Sequence, residues 1–240
     1  MNESPSKQAS GYLLRKELRP KLCALHPRSK LRGLTASDKP HVTEEILNDS
    51  LKKTHHYTEQ VKLAIELAKE IHKNQKRDDG RSYLEQHIFP ISLSVADKYK
   101  SADFAEEIII TALLHDVLED SQNSMIERIR LDFGDNIVNN LQCITKRKTD
   151  KLNRTQHDRY IENKKIIEDL KKSSVVPQIV KLEDRLNNLQ STEKLPDKKV
   201  KYRRYIEATR ELYIPFAQRF AKEYVSLFEK EVERITKDVI

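Results

Sequence analysis

The chain has no tryptophan, and glycine (4), proline (8) and cysteine (2) are sparse among its 240 residues. So few breakers exclude a collagen-like or loop-built chain and leave long helices as the natural outcome. The two cysteines, Cys23 and Cys143, stand far apart and in no metal-ligand spacing, which excludes a cysteine-based zinc site and a disulfide framework. Cys143 lies on an apolar helical face of Ile137, Val138, Leu141 and Ile144, so a buried free thiol is expected. No run approaches the roughly 20 apolar residues that span a bilayer. The first residues, MNESPSKQAS, also lack the apolar core of a secretory signal. These absences together predict a cytoplasmic protein that does not enter a membrane.

Charge is what the chain has in quantity: 35% of residues are charged against 37% hydrophobic, which suits helices with charged outer faces and is too apolar for wholesale disorder. The net charge of +7 is unevenly spread. Residues 1–34 carry eight basic side chains against two acidic ones, and the remainder is almost balanced at 37 against 36. Half of the glycines and half of the prolines also fall within residues 1–42. That segment reads as a basic, largely irregular arm, with a short helix around 12–18, ahead of a helical body over 43–240.

In the body the hydrophobic spacing is helical throughout. Val61, Ala64, Ile65, Ala68 and Ile71 recur at three and four, with Thr58 placed as a cap. Asp78-Asp79-Gly80 interrupts, and a second helix follows through Ile88, Ile91, Val95 and Tyr99. Residues 103–118 are apolar nearly all round from Ile108 to Leu114, the mark of a helix at the centre of a core. Ser124 can open the next helix, and Gly134 suits a left-handed cap at its end. Further helices are predicted over roughly 157–172, 174–191 and 199–236, the last broken near Pro215. No alternating strand pattern appears. The expected fold is an all-α helical bundle carrying a basic N-terminal arm.

Chemistry concentrates at two places. His115-Asp116 closes the most apolar helix, where a carboxylate is costly unless a cation or hydrogen bonds compensate it. Glu119 and Asp120 follow at four residues, stacking two acids one turn beyond that pair. Downstream, Asp184, Asn188 and Ser191 form a polar stripe beside the apolar face of Ile179, Leu182, Leu186 and Leu189. By themselves these features suit either a metal site or a hydrogen-bonded helix end with a solvated flank.

The segments HDVLED, KLEDRLNN and HKNQKRDDGRSYLEQHIFPIS together resemble the hydrolase domain of the RelA/SpoT homologues, HD-type enzymes that degrade guanosine tetraphosphate alarmones. The likeness runs from about 58 to 221 and takes in FGDNIVNNLQCITK, ENKK and ATRELYIPFAQRF. It implies an HD-domain helical bundle whose metal ligands are His87, His115, Asp116 and Asp184, with Mn²⁺ as the usual ion. Two imidazoles and two carboxylates suit a borderline-to-hard cation without excluding Fe, Co or Zn. His87 enters that set through the resemblance alone. The same likeness makes Glu119 and Asp120 the catalytic acidic pair, sets Arg77 against the base, and lines the nucleoside pocket with Asn188 and Ser191. The implied reaction is attack of water on the 3′-diphosphate of a guanosine alarmone, releasing pyrophosphate and GDP or GTP.

Three positions depart from the family pattern. Asp78 stands where a basic residue usually follows the arginine, Tyr83 is one residue further from His87 than is common, and Asn187 replaces a histidine after Asp-Arg-Leu. No synthetase or regulatory region follows the last motif, so the resemblance is to a stand-alone small hydrolase. Small hydrolases of this kind also suggest an antitoxin role with a toxin partner, acting on adenosine alarmones or on pyrophosphorylated tRNA ends. The basic arm would suit tRNA. A weakly catalytic nucleotide- or partner-binding protein is the alternative outside enzymes. Lys146, Arg147 and Lys148 after ITK read equally as phosphate contacts or as solvated surface.

Overall fold

The fold is described from a computed structural model, over residues 41–120, 124–146, 155–192 and 198–238, with the side chains of Asp120 and Asp238 left aside. The basic arm up to residue 40, including the expected short helix and Cys23, lies outside the described residues. Where description begins, Val42 is already buried and donates its N–H to the Glu85 carbonyl at 2.9 Å.

Helix α1, Glu44–Lys53, starts at Thr43, whose hydroxyl accepts from the Ile46 N–H, and buries Leu47 and Leu51. Helix α2, Glu59–His72, is capped by Thr58 through the Val61 N–H at 3.2 Å. Val61, Ala64, Ile65 and Ala68 face inward as their spacing predicts, while the last turn buries His72 instead of Ile71. A tight loop follows. Lys76 and Ser82 form an isolated bridge, and Gly80 takes a φ of 82° that a side chain would resist.

The second predicted helix opens with a π turn, Leu84–Ile88, that runs directly into α3, Phe89–Lys98. Pro90 sits in the first turn of α3, where its missing N–H has least consequence. Helix α4, Ala105–Leu114, buries eight of its ten residues, as its all-round apolar sequence requires. It ends at His115, and the chain restarts as the short α5, Val117–Asp120.

Helices α6, Ser124–Phe133, and α7, Asp135–Ile144, meet at Gly134, whose φ is 84°. The buried face of α7 is Ile137, Val138, Asn140, Leu141 and Ile144. Cys143 is a free thiol but only half-buried, contrary to expectation, because six residues past Ile137 it has turned onto the shoulder of that face.

Helix α8, Gln156–Leu170, begins with a reciprocal cap between Thr155 and Asp158. Helix α9, Val175–Gln190, buries thirteen of its sixteen residues and packs on α3, α4 and α7. Helix α10, Lys199–Ala208, passes through a second π turn, Thr209–Tyr213, into α11, Ile214–Ala217. The break expected near Pro215 therefore begins a turn earlier, and the chain turns again before α12, Glu223–Asp238, which lies against α9. The body is an all-α bundle with α4 and α9 at its centre. Among the described residues no helix is long and apolar enough to cross a membrane.

Candidate metal centre

Four separate segments converge between α4 and α9. The π turn brings His87, the end of α4 brings His115, the junction with α5 brings Asp116, and the middle of α9 brings Asp184. His87 and His115 are 1% and 2% exposed, so any charge there is decided by neighbours rather than by water. Ligand atoms of His87, His115 and Asp184 all lie within 4.8 Å of one another. Asp116 Oδ2 lies 3.3 Å from His87 Nε2 and 3.2 Å from His115 Nε2. All four residues that the family likeness singles out are thus brought together.

The orientation of the two imidazoles is the informative detail. His115 Nδ1 donates to the Ala112 carbonyl at 2.8 Å, and His87 Nδ1 donates to Asn187 Oδ1 at 2.7 Å. The Asn187 amide is turned this way because its own Nδ2 donates to the Gln86 carbonyl. With each Nδ1 committed to an acceptor, both Nε2 atoms point into the site, and they face each other at 3.2 Å. In the metal-free protein a proton on His115 bridges that gap, and a divalent cation can take its place. The donor set therefore fits a divalent metal, with second partners fixing each ring.

Electrostatics agree. Burial alone would lower the His115 imidazole, but the Asp116 and Asp184 carboxylates overcome it and raise the group to about 9. At His87 burial prevails, and the imidazole stays below its ordinary value. Burial would raise the Asp184 carboxyl, yet Lys181 and the two imidazoles hold it well below the usual carboxylate range.

Around the four candidate donors stand further polar groups. Tyr83 donates its hydroxyl to Asp116 Oδ2. The extra residue between Tyr83 and His87 is absorbed by the π turn: with more residues per turn, a spacing of four keeps both side chains facing the site. Lys181, 3% exposed, reaches Asp184 Oδ2 at 3.0 Å. Glu119 lies one turn past His115 and pairs with Lys146 at 3.2 Å. Arg147 and Lys148 lie outside the described residues, as does the side chain of Asp120.

Beside the metal centre a cleft is lined by Arg77, Asn188, Ser191, Lys201, Tyr202 and Tyr205. Asn188 joins the two halves of the site, donating to Asp184 Oδ1 and accepting from Arg77 at 3.2 Å. Arg77 lies 5.6 Å from the centre of the Tyr83 ring. Asp78, the acidic departure, pairs across the cleft mouth with Lys201. Both the three residues expected around the nucleoside and the four expected around the metal therefore occupy one continuous site.

This is an all-helical protein with a candidate metal centre of two histidines and two aspartates at its core. The chain belongs to the HD domain family, whose model matches residues 64–221. It is 34% identical over 176 residues to the guanosine-3′,5′-bis(diphosphate) 3′-pyrophosphohydrolase of Aquifex aeolicus, covering 73% of this chain and 24% of that protein. The protein of the same name in Haemophilus influenzae is 31% identical over 163 residues, covering 66% of this chain and 22% of its own length. The chain thus spans about a quarter of the length of these curated relatives. A solved structure described as a metazoan ortholog of SpoT that hydrolyzes ppGpp aligns with a TM-score of 0.54 at 20% identity, covering 76% of this chain and 98% of its own. That likeness concerns the fold.

Proposed function

We propose that the protein is a metal-dependent phosphohydrolase that removes the 3′-diphosphate of guanosine alarmones, with Mn²⁺ held by His87, His115, Asp116 and Asp184. The observation that carries this reading is the pair of opposed Nε2 atoms beside Asp116 and Asp184, opening on the cleft of Arg77, Asn188 and Ser191. The names of the Aquifex and Haemophilus relatives support the choice of substrate.

A divalent cation bound there supplies acidification of a water molecule and polarisation of a phosphoryl oxygen. The residues supply the rest. The planar guanidinium of Arg77 can stack on the purine, while Asn188 and Ser191 offer hydrogen bonds to the nucleoside. Glu119 accepts a proton from the attacking water, with Asp120 assisting. The water oxygen bonds to the phosphorus attached to the 3′ oxygen, the P–O3′ bond breaks, and its electron pair stays on O3′, which takes up a proton. Pyrophosphate leaves. Lys146 and Lys181 neutralise charge that accumulates on it.

The test is pyrophosphate release from guanosine tetraphosphate by protein stripped with chelator and reloaded with Mn²⁺. The reading expects activity lost on stripping and restored by the ion, together with loss of bound metal in Asp116→Ala. No release with fully loaded protein sinks it.

A further inference from the structure

One wall of the cleft carries positive charge that the proposed reaction leaves unused. The ring of Tyr205 on α10 lines the cleft, and three cationic groups crowd around it. Arg185 Cζ lies 5.1 Å, Lys201 Nζ 5.7 Å and Arg204 Cζ 5.8 Å from its centre. Arg185 also lies 4.2 Å over the ring of Tyr213. Arg159 of α8 faces the same group, and burial together with Arg159 and Arg185 presses the Arg204 guanidinium below its ordinary value.

Elsewhere in the interior, cations are matched: Lys181 has Asp184 and Lys98 has Glu183. Here Lys201 has Asp78, but among the described residues Arg159, Arg185 and Arg204 have no carboxylate partner. Arg185 is 7% exposed, and its Nε makes no hydrogen bond. Withholding water and a carboxylate partner from a guanidinium is costly, and for Arg185 the Tyr213 hydroxyl and the neighbouring Asp184 carboxylate offset part of that cost. Such a cost is offset when an anion arrives. Arg159 and Arg204 are half-exposed, so they are open to one.

The position of the cluster says which anion. Arg185 directly follows Asp184 on α9, about 100° further round the helix, so the cluster and the metal centre occupy adjoining faces of one element. A nucleotide whose 3′ group points at the metal sends its 5′ substituent away from it, because the two leave the ribose in different directions. We propose that Arg204 and Arg159, backed by Arg185 and Tyr205, form a subsite for the 5′-phosphates of the nucleotide. Guanidinium forks bind phosphate oxygens in pairs, and the aromatic ring holds them ready. This inference rests on the nucleotide-hydrolase reading and adds that the site demands a 5′-phosphorylated ligand.

The experiment measures binding first, so that it does not depend on turnover. GDP and guanosine are titrated into the full-length, Mn²⁺-loaded protein by calorimetry. GDP is expected to bind roughly ten- to a hundredfold more tightly, the worth of one or two charge-assisted hydrogen bonds. Arg204→Gln narrows that gap at least fivefold, and Arg204→Lys, which keeps the charge without the fork, falls between. Arg159→Gln gives an independent reading should Arg204→Gln fail to fold. Turnover is then compared on guanosine tetraphosphate and on guanosine 3′-diphosphate with a free 5′-hydroxyl; the variants lose at least fivefold more kcat/KM on the first. Equal binding of GDP and guanosine, binding of neither, or a gap untouched by a folded variant overturns the subsite. A gap that depends on Arg204 in a protein without turnover keeps the subsite and sinks the hydrolase reading. Turnover with no dependence on the 5′ group does the reverse.

Discussion

At the scale of single residues the site divides by role. Glu119 stands one turn beyond the proposed metal donors, and its carboxylate pairs with Lys146. Glu119→Gln should therefore leave bound metal unchanged by elemental analysis while turnover falls by roughly 10²–10⁴. A second prediction comes from His115. Its imidazole rises from 6.5 to about 9 in the folded metal-free protein, so the folded state binds the proton more tightly than the unfolded chain. That stabilisation is complete below about 6.5 and is lost as pH rises through about 9. The melting temperature of stripped protein should fall across this window, whereas Mn²⁺-loaded protein, with the proton displaced, should not follow it. The sequence made His115-Asp116 conspicuous, since a charged pair ending an apolar helix calls for compensation. It hid the roles of Asn187 and Tyr83, because their partners lie across the bundle, and that of Lys181, because an i,i+3 pair with Asp184 reads like any surface ion pair until its burial is known. Asn187 and His87, for instance, are 100 positions apart.

Among the elements, α9 does the most. One face presents Asp184 and Asn188 to the site, and the next presents Arg185 to Tyr205. A third presents Glu183, 3% exposed, which takes Lys98 from α3, Ser94 at 3.1 Å and the Tyr224 hydroxyl of α12 at 2.5 Å. Glu183→Ala leaves an ammonium and a buried hydroxyl without their acceptor, and should destabilise the fold by about 3 kcal/mol in urea unfolding while metal stays bound. The helices themselves were legible from apolar spacing and caps, Thr58 and Gly134 included. The two π turns were not, since they use the same residue types as an α-turn. Only the extra residue before His87 hinted at one, and a π turn is one of several ways to absorb it.

Across the whole molecule, charge and chemistry come from different parts of the chain. The basic surplus belongs to residues 1–34, whereas every residue assigned to the site lies between Arg77 and Tyr205. Deleting residues 1–40 should leave hydrolysis of guanosine tetraphosphate within about threefold, since a basic segment of this kind chiefly adds salt-dependent affinity for polyanions. Steady-state kinetics at two ionic strengths would check it, and a loss confined to low salt on a tRNA substrate would favour the tRNA reading instead.

The separation in sequence between His87 and Asp184 has one more consequence. An ion held by both, as proposed, would close a circuit that embraces α3 to α9, so these helices could not part without first releasing it. Under the proposed function, the grip on that ion would set how long the protein survives as well as how fast it works. In a cell short of the metal, idle molecules would be the ones that proteases find first.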